Sequence, residues 1–578
     1  MRRRIGTRDI SGRLVSAAIL ARDVDMRILT TAFAIALLAS VASAHPANPI
    51  SPDRLAAHVK ALADPALAGR APGGPGEAGT IAYITGQFKA LGLKPAGDNG
   101  GWTQAVQLVR FRVQQDDAKF SLTAGGVAKP LAEIRDVMVW TQRPVSRVQV
   151  AKAPLVFVGY GVTAKERGWD DFKGVDLKGK IAVVLINDPD FEAAAGDAVA
   201  GKFGGKAATY YGRWIYKFDE AARQGALGVL IVHETAGAAY PWTTVVASNG
   251  DSYDVVRADP ANDKPLMQGW IQRDLAVDLF ARSGLDFEAE KLRARTAGFT
   301  PVELKGASFS ADFGVTVDKL LSHNILARIP GAKRPNESVM FAAHWDAFGI
   351  GPADATGDTV RHGAADDAIG VAGVIELARA FAAGPRPART IAFGVWTAEE
   401  RGLLGSEYYA VHPAMPLATT AANFTMDVLQ TAGPSRDVVL VGAGQNELET
   451  ALAAAAAKQG RTVTPDAHPE RALFYRADHF SVAKRGVPTL LLMGIGGGPD
   501  LVTGGRTAGD AWVTEYTTKC YHQACDNWTP AWDLRGAAAD VALLLDAGGK
   551  LANSTAWPDW NPGSEFKAVR AETASQRK

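Results

Sequence analysis

Cysteine is nearly absent: the 578 residues include only Cys520 and Cys525. That scarcity excludes a disulfide-stapled scaffold and every zinc module built on four thiolates. Any metal in this chain must therefore sit on His, Asp and Glu. An excess of one charge is missing as well. The 62 Lys and Arg against 61 Asp and Glu leave a formal charge of +1, which gives no electrostatic reason to expect nucleic acid or an anionic membrane as partner. No apolar run is long enough, at about 20 residues, to span a bilayer. The Gly-rich stretch GIGGGPD at 494–500 lacks the Gly-Lys-Ser/Thr ending of a phosphate loop and reads as a surface or active-site loop.

Core material is plentiful. With 47% hydrophobic and 21% charged residues, and about 100–200 residues per domain, the chain reads as a globular protein of two to four domains. Met26 to Ala44, MRILTTAFAIALLASVASA, joins an Arg, a short apolar stretch and the small residues Ala42-Ser43-Ala44, the pattern of a secretory signal peptide cleaved after Ala44. Residues 1–44 are accordingly expected to be a leader, with Met26 as an alternative start. They hold seven Arg and three acids, so the remainder carries 55 basic against 58 acidic residues. The expected location is periplasmic or extracellular, with no stable membrane span once the leader is removed.

Periodicity divides the rest. Leu55, Val59 and Leu62 form a helical stripe, GRAPGGPGEAG interrupts it, and Ile81 to Leu91 resumes it. From 148 to 301 short apolar strands such as LVFVGYG, KIAVVLIND and GVLIVHE dominate, as expected of a separate β-rich insert. After it, ILARIPG, SVMFAAHWD, RTIAFGVWT, NFTMDVL, DVVLVGAG and VPTLLLMG alternate with helical patterns. The fold class expected is α/β, a mostly parallel mixed sheet sandwiched by helices. The domain division expected is 45–147 and 302–578 for the sheet domain, interrupted by 148–301.

Functional residues of such sheets collect beyond the carboxyl ends of the strands, and five segments place unusual polar residues there. SVMFAAHWD ends on His344 and Asp346, whose spacing of two suits a ligand and the acid that orients it. Asp366 and Asp367 precede a long apolar helix, where either could instead cap it. Glu399 and Glu400 follow a strand directly, so one can hold a metal while its neighbour reaches water. Asp427 ends another apolar run and needs a cation or a hydrogen-bond partner. His522 is followed four residues on by Asp526, a second pairing of ligand and orienting acid. Two His, three carboxylates and one spare Glu suit two divalent cations sharing a carboxylate, with ligands typical of zinc and a base for hydrolysis.

In order and spacing, HWDAFG, GAADDAIG, TAEERGLLGSEYYA, FTMD, DHFSVAKRGVP and YHQACD resemble the co-catalytic di-zinc exopeptidases, which include bacterial leucyl aminopeptidases, aminopeptidase Y and glutamate carboxypeptidase. The resemblance implies two Zn²⁺ per chain, with His344 and Asp427 on one, Glu400 and His522 on the other, Asp366 bridging them and Glu399 as general base. It also implies that 148–301 is a protease-associated domain. The activity implied is a secreted aminopeptidase acting on peptides. A carboxypeptidase or dipeptidase of the same fold, and a metal-free receptor-like protein, are the alternatives. Two departures, Ala347-Phe348-Gly349 and Asp367-Ala368-Ile369-Gly370, leave the ligands untouched and concern pocket shape. Tyr521 could donate to the developing oxyanion or simply pack. Arg476 and Asp478 are candidates for reading a chain terminus or for ordinary ion pairing. An oxidising compartment would allow Cys520 and Cys525 to form a disulfide. Side-chain preference and oligomeric state are not legible in the sequence.

Overall fold

Strands of alternating apolar residues account for the layering. In Arg334–His344, Val339, Phe341 and Ala343 point to one face of the sheet and Met340 and Ala342 to the other, and all are buried. A strand buried on both faces needs helices on both. One face is covered by Pro52–Leu62, Ile369–Ala383, Leu448–Lys458 and Arg535–Asn553. The other is covered by Leu404–Val411 and His479–Ala483. This computed structural model describes residues 49–577, so the expected leader at 1–44 lies outside the described residues. From Ile50 onward the chain forms one compact unit, and no helix among the described residues is long and apolar enough to cross a membrane.

The centre of the sheet is parallel. Arg389–Trp396, Arg334–His344, Thr420–Asp427 and Thr489–Met493 lie side by side in that order. Asp437–Val441 follows antiparallel to Thr489–Met493, and Thr462–Pro465 closes that edge. On the opposite side Val302–Ile329 pairs antiparallel with Arg389–Trp396 and with Thr103–Val113. The α/β class with a mostly parallel sheet between helices is thus the architecture observed.

Val302–Ile329 is long enough to serve two sheets. Its second half belongs to the sheet just described, while its first half pairs with Lys119–Ala124 and Arg147–Phe157. From there Ile181–Leu185, Gly228–His233 and Met267–Gln272 continue in parallel, and Val137–Trp140 pairs antiparallel at the far side. The second sheet therefore draws strands from 119–140 and from beyond 301, and its core runs from Val109 to Val315. The 148–301 segment expected for the insert thus shares its sheet with strands on either side of it. Strands at 119–140 carry no signal of their own that would separate them from the preceding strand, and only their pairing partners assign them.

Candidate metal centre

Three strand ends or the turns after them, one turn leading into a helix and one loop meet at the carboxyl edge of the parallel strands. His344 is the last residue of Arg334–His344 and Asp427 the last of Thr420–Asp427. Glu399 and Glu400 stand in the turn after Arg389–Trp396. Asp366 arrives from the turn that leads into Ile369–Ala383, across a cis peptide bond to Asp367. His522 comes from the loop closed by the Cys520–Cys525 disulfide, whose Cα atoms are 5.1 Å apart.

The five side chains form two triads sharing one member. His344, Asp366 and Asp427 offer ligand atoms within 4.8 Å of one another, and Asp366, Glu400 and His522 do the same. His344 Nε2 lies 3.2 Å from Asp366 Oδ1 and 3.9 Å from Asp427 Oδ1. His522 Nε2 lies 3.2 Å from Asp366 Oδ2 and 3.2 Å from Glu400 Oε2. Both Nε2 atoms are buried and have no hydrogen-bond partner. Two orphaned imidazole nitrogens, each facing two carboxylates and sharing one, suit a pair of cations with His and carboxylate ligands.

The electrostatics carry the same sense. Burial pushes Glu400 and Glu399 well above the ordinary carboxylate range, and neighbouring acids add to it. Burial raises Asp427 as well. Burial alone would depress the charged form of His344, but Glu399, Asp346, Asp366 and Asp427 outweigh it and hold the ring well above its ordinary value. Asp366 goes the other way: its burial is overcome by the two imidazoles, which lower it. A cluster of buried acids with so few cations is stable in its ionised form only with added positive charge. Glu399 Oε2 stands 3.9 Å from His344 Nε2 and belongs to neither triad.

The supporting residues differ from expectation in two places. The carboxylate expected to orient His344 does so weakly. Asp346 Oδ1 is 3.7 Å from His344 Nδ1, while the backbone carbonyl of Asp346 is 3.1 Å away. The Asp346 carboxylate instead accepts the backbone N–H of Glu399 at 3.0 Å and of Glu400 at 3.4 Å, fixing that turn. Asp526 does not reach His522. Its oxygens accept the N–H groups of Ala365 at 2.8 Å and Asp366 at 3.1 Å, and the Tyr516 hydroxyl at 3.1 Å. Spacing along the chain suggested the nearest His in each case, whereas the turns of backbone brought more demanding donors closer.

Asp366 and Asp367 divide the roles that sequence left open. Asp367 Oδ1 accepts the N–H of Gly370 at 3.0 Å, a cap on the helix, and that of Val428 at 3.2 Å; Oδ2 accepts from His344 N at 3.3 Å. This leaves Asp366 free to face the imidazoles. Gly370 is required because a Cβ there would sit 2.3 Å from the Asp367 carboxylate. Gly363, at φ +57°, is likewise confined, since a Cβ would lie 2.4 Å from Asp366 O and 2.6 Å from Ala347 Cβ.

One organising residue went unread in the sequence. Arg70, in the Gly- and Pro-rich break that reads only as a loop, is buried and donates to the carbonyls of Trp345, Leu62, His362 and Gly363 at 2.5–2.7 Å. Three of those carbonyls, of Trp345, His362 and Gly363, flank His344 and Asp366 in sequence. His362 Nδ1 in turn lies 2.8 Å from the carbonyl of Ala63, and Nε2 2.9 Å from Asp358.

A cavity of about 770 Å³ opens onto the centre. Asp366, Glu399, Glu400, Asp427 and His522 line it, and so do Arg213 and, from the second sheet's layer, Trp140, Trp214 and Tyr240. Tyr521 lines it too, its ring 3.7 Å from that of His522, with burial holding the phenol well above its ordinary value. Arg476 lines the cavity. Asp478 does not; it is buried, and burial raises it to about 7.

Residues 324–545 match the sequence profile described as Peptidase family M28. Leupeptin-inactivating enzyme 1 of Streptomyces exfoliatus is 28% identical over 238 residues, 39% of this chain and 49% of that protein. A probable zinc metalloprotease of Pyrenophora tritici-repentis is 36% identical over 105 residues, 18% of this chain and 24% of that one. The chain thus spans about half the length of the first of these relatives and about a quarter of the second. Among solved structures, the aminopeptidase from Aneurinibacillus sp. strain AM-1 aligns over 89% of this chain and 95% of its own, at 21% identity and a TM-score of 0.47.

Proposed function

With residues 324–545 belonging to peptidase family M28, we propose that the chain is a zinc-dependent exopeptidase, an aminopeptidase removing N-terminal residues from peptides. The observation that carries this reading is the pair of orphaned nitrogens, His344 Nε2 and His522 Nε2, each 3.2 Å from the Asp366 carboxylate between them. His344 and Asp427 would hold one zinc and Glu400 and His522 the other, with Asp366 shared. Zinc so held supplies Lewis acidity, which polarises a scissile carbonyl and makes water acidic enough to deprotonate near neutral pH.

The remaining steps belong to the side chains. Glu399, unligated and beside the triads, takes the proton of the attacking water and returns it to the leaving amine. The amides of Glu399 and Glu400, fixed by Asp346, keep base and ligand in register. The Tyr521 phenol faces the same cavity and is suited to donate to the carbonyl oxygen as its charge grows. On this reading Trp140, Trp214 and Tyr240, which line the same cavity, restrict it to short peptides. By this reading the 148–301 region is a protease-associated domain, and the leader directs export.

A carboxypeptidase or dipeptidase is the second reading, favoured by the arginines that share the cavity. The test is a panel of dipeptides, free, N-blocked and C-blocked, assayed after zinc loading and again with chelator. An aminopeptidase cleaves the free and C-blocked peptides and loses activity with chelator. A zinc-loaded protein that hydrolyses none of them is not an exopeptidase, and one that binds less than one equivalent of zinc supports the receptor-like alternative.

A further inference from the structure

His522 is the least enclosed of the five candidate ligands. Its side chain is 30% exposed, against 1% for His344, and its backbone adopts φ +63°, in the left-handed region that costs an L residue free energy unless its surroundings support it. No acid orients the ring from behind. Among the described residues the carboxylates within ion-pairing distance of its ring are those of Asp366 and Glu400, and both face Nε2. Asp526 is engaged by the amides of Ala365 and Asp366 instead. The torsion that turns an imidazole is broad when left to itself, so something else has to aim this ring.

Aromatic side chains take that place. The Phe348 ring centroid lies 4.3 Å from that of His522, and the Tyr521 centroid 3.7 Å from it. Phe348 stands four residues after His344, so the strand that ends on one candidate ligand goes on to pack against another. Phe348 is itself backed by a cation. The Arg401 guanidinium carbon is 4.8 Å from the Phe348 ring and 5.1 Å from the Tyr253 ring. Arg401 adjoins Glu400, and Tyr253 belongs to Ser252–Val255, a strand paired antiparallel with Thr103–Val113. Arg110 of that second strand completes the row, 5.6 Å from the Tyr253 ring and 3.0 Å from Asp251. Arg110, Tyr253, Arg401, Phe348 and His522 thus form a series of ring and cation contacts, each of a kind that contributes modestly alone and restricts orientation in sequence. Tyr253, Arg401, Phe348 and His522 all line the cavity of the metal centre.

We propose that Phe348 is a positioning residue for His522: its ring holds the imidazole in the orientation that points Nε2 at Asp366 and Glu400, and Arg401 and Tyr253 hold Phe348 in turn. The inference rests on the reading of His522 as a zinc ligand. It gives a task to Ala347-Phe348-Gly349, one of the two stretches in which the chain departs from the exopeptidase pattern. A flat apolar ring narrows the rotation of the imidazole without competing for Nε2, which a branched aliphatic side chain of similar bulk does less well because it has no face to stack. The effect is local to one metal. Zinc held by Glu400 and His522 depends on Phe348, and zinc held by His344 and Asp427 does not.

The test is zinc affinity, read without any peptide. Metal-free wild type, Phe348→Leu, Phe348→Tyr and Arg401→Gln are titrated with zinc against a chromogenic chelator, and urea unfolding of the metal-free proteins reports whether each is folded. Wild type is expected to take up two zincs. Phe348→Leu should weaken one of them about two- to tenfold, the range that an aromatic pair contributes, and leave the other unchanged. Phe348→Tyr, which keeps the ring, should restore the wild-type values. In a His522→Ala background the Phe348→Leu change should have no further effect, because the ring it aims is gone. Unchanged affinities in a folded Phe348→Leu protein, a loss at both zincs, or an equal loss in the absence of His522 overturns the proposal. If the Phe348 variants do not fold, Arg401→Gln decides: a loss confined to one zinc supports the proposal, and no loss overturns it. A wild type that holds two zincs yet cleaves no peptide loses the exopeptidase reading alone, whereas one that takes up fewer than two removes the ligand role of His522 and the proposal with it.

Discussion

Replacing Arg70 by Met tests the claim that the metal centre is held from beneath by one buried cation. The guanidinium donates to four carbonyls, of Trp345, Leu62, His362 and Gly363, and is 1% exposed. Burial lowers its pKa, and the charges of Asp526, Asp346, Asp367 and Asp366 counter that loss. Methionine fills the volume and provides no donor. At about 1–3 kcal/mol for each buried carbonyl left dry, even two unmet carbonyls cost about 2–6 kcal/mol, and the acids lose a compensating charge as well. Three of the four carbonyls flank the ligand segments, so zinc affinity is expected to fall about 10–100-fold, as when the groups that hold metal ligands in place are removed. Urea unfolding of the chelator-treated protein reads the first effect, and competition with a chromogenic chelator reads the second. Arg70→Lys, which keeps the charge but not the fork, should fall between. An Arg70→Met protein with wild-type midpoint and wild-type zinc affinity would refute the reasoning.

Three further outcomes follow from the same geometry. Glu399→Gln should lower kcat by about 10²–10⁴ while binding zinc as the wild type does, measured by turnover and metal content; full activity would remove Glu399 as the base. Reducing the Cys520–Cys525 bond frees the loop that carries His522, so turnover and zinc retention should both fall in reductant and recover on reoxidation, and an insensitive enzyme would show that the loop is held by packing alone. His479 is buried against Phe474, and burial lowers it to about 3. Its stabilising neutral form is fully populated above the ordinary value of 6.5, and its contribution is lost as pH falls from there toward 3, because the unfolded chain binds the proton first. Between pH 7 and 5 it should account for about 2 kcal/mol of lost stability, seen as a smaller urea-midpoint shift in His479→Gln; an equal shift in both proteins would contradict the assignment.

Legibility in the sequence followed the range of the interaction. The central strands were readable because burial on both faces demands continuous apolar runs such as SVMFAAH and RTIAFGVW, and the polar residues had to fall at their ends or in the turns after them. That Asp366 and not Asp367 faces the imidazoles was open to local reasoning, because either acid can cap a helix. The choice depends on Gly370, Val428 and His344 all donating to Asp367.

By itself, the sequence determined which residue types end the strands, and hence that His344, Asp366, Glu399, Glu400, Asp427 and His522 could meet at one edge, since strand polarity and apolar patterning are local properties. Tertiary structure alone decided what stands behind them. Asp346 and Asp526 hold backbone amides of other segments instead of the neighbouring imidazoles. Arg70 reaches carbonyls nearly three hundred residues away, strands at 119–140 join a sheet completed beyond 301, and Arg213 and Arg476 line one cavity. A hydrogen bond or a cavity wall is set by distance in space, and nothing in the spacing of residues along a chain encodes which remote carbonyl or guanidinium will lie within 3 Å.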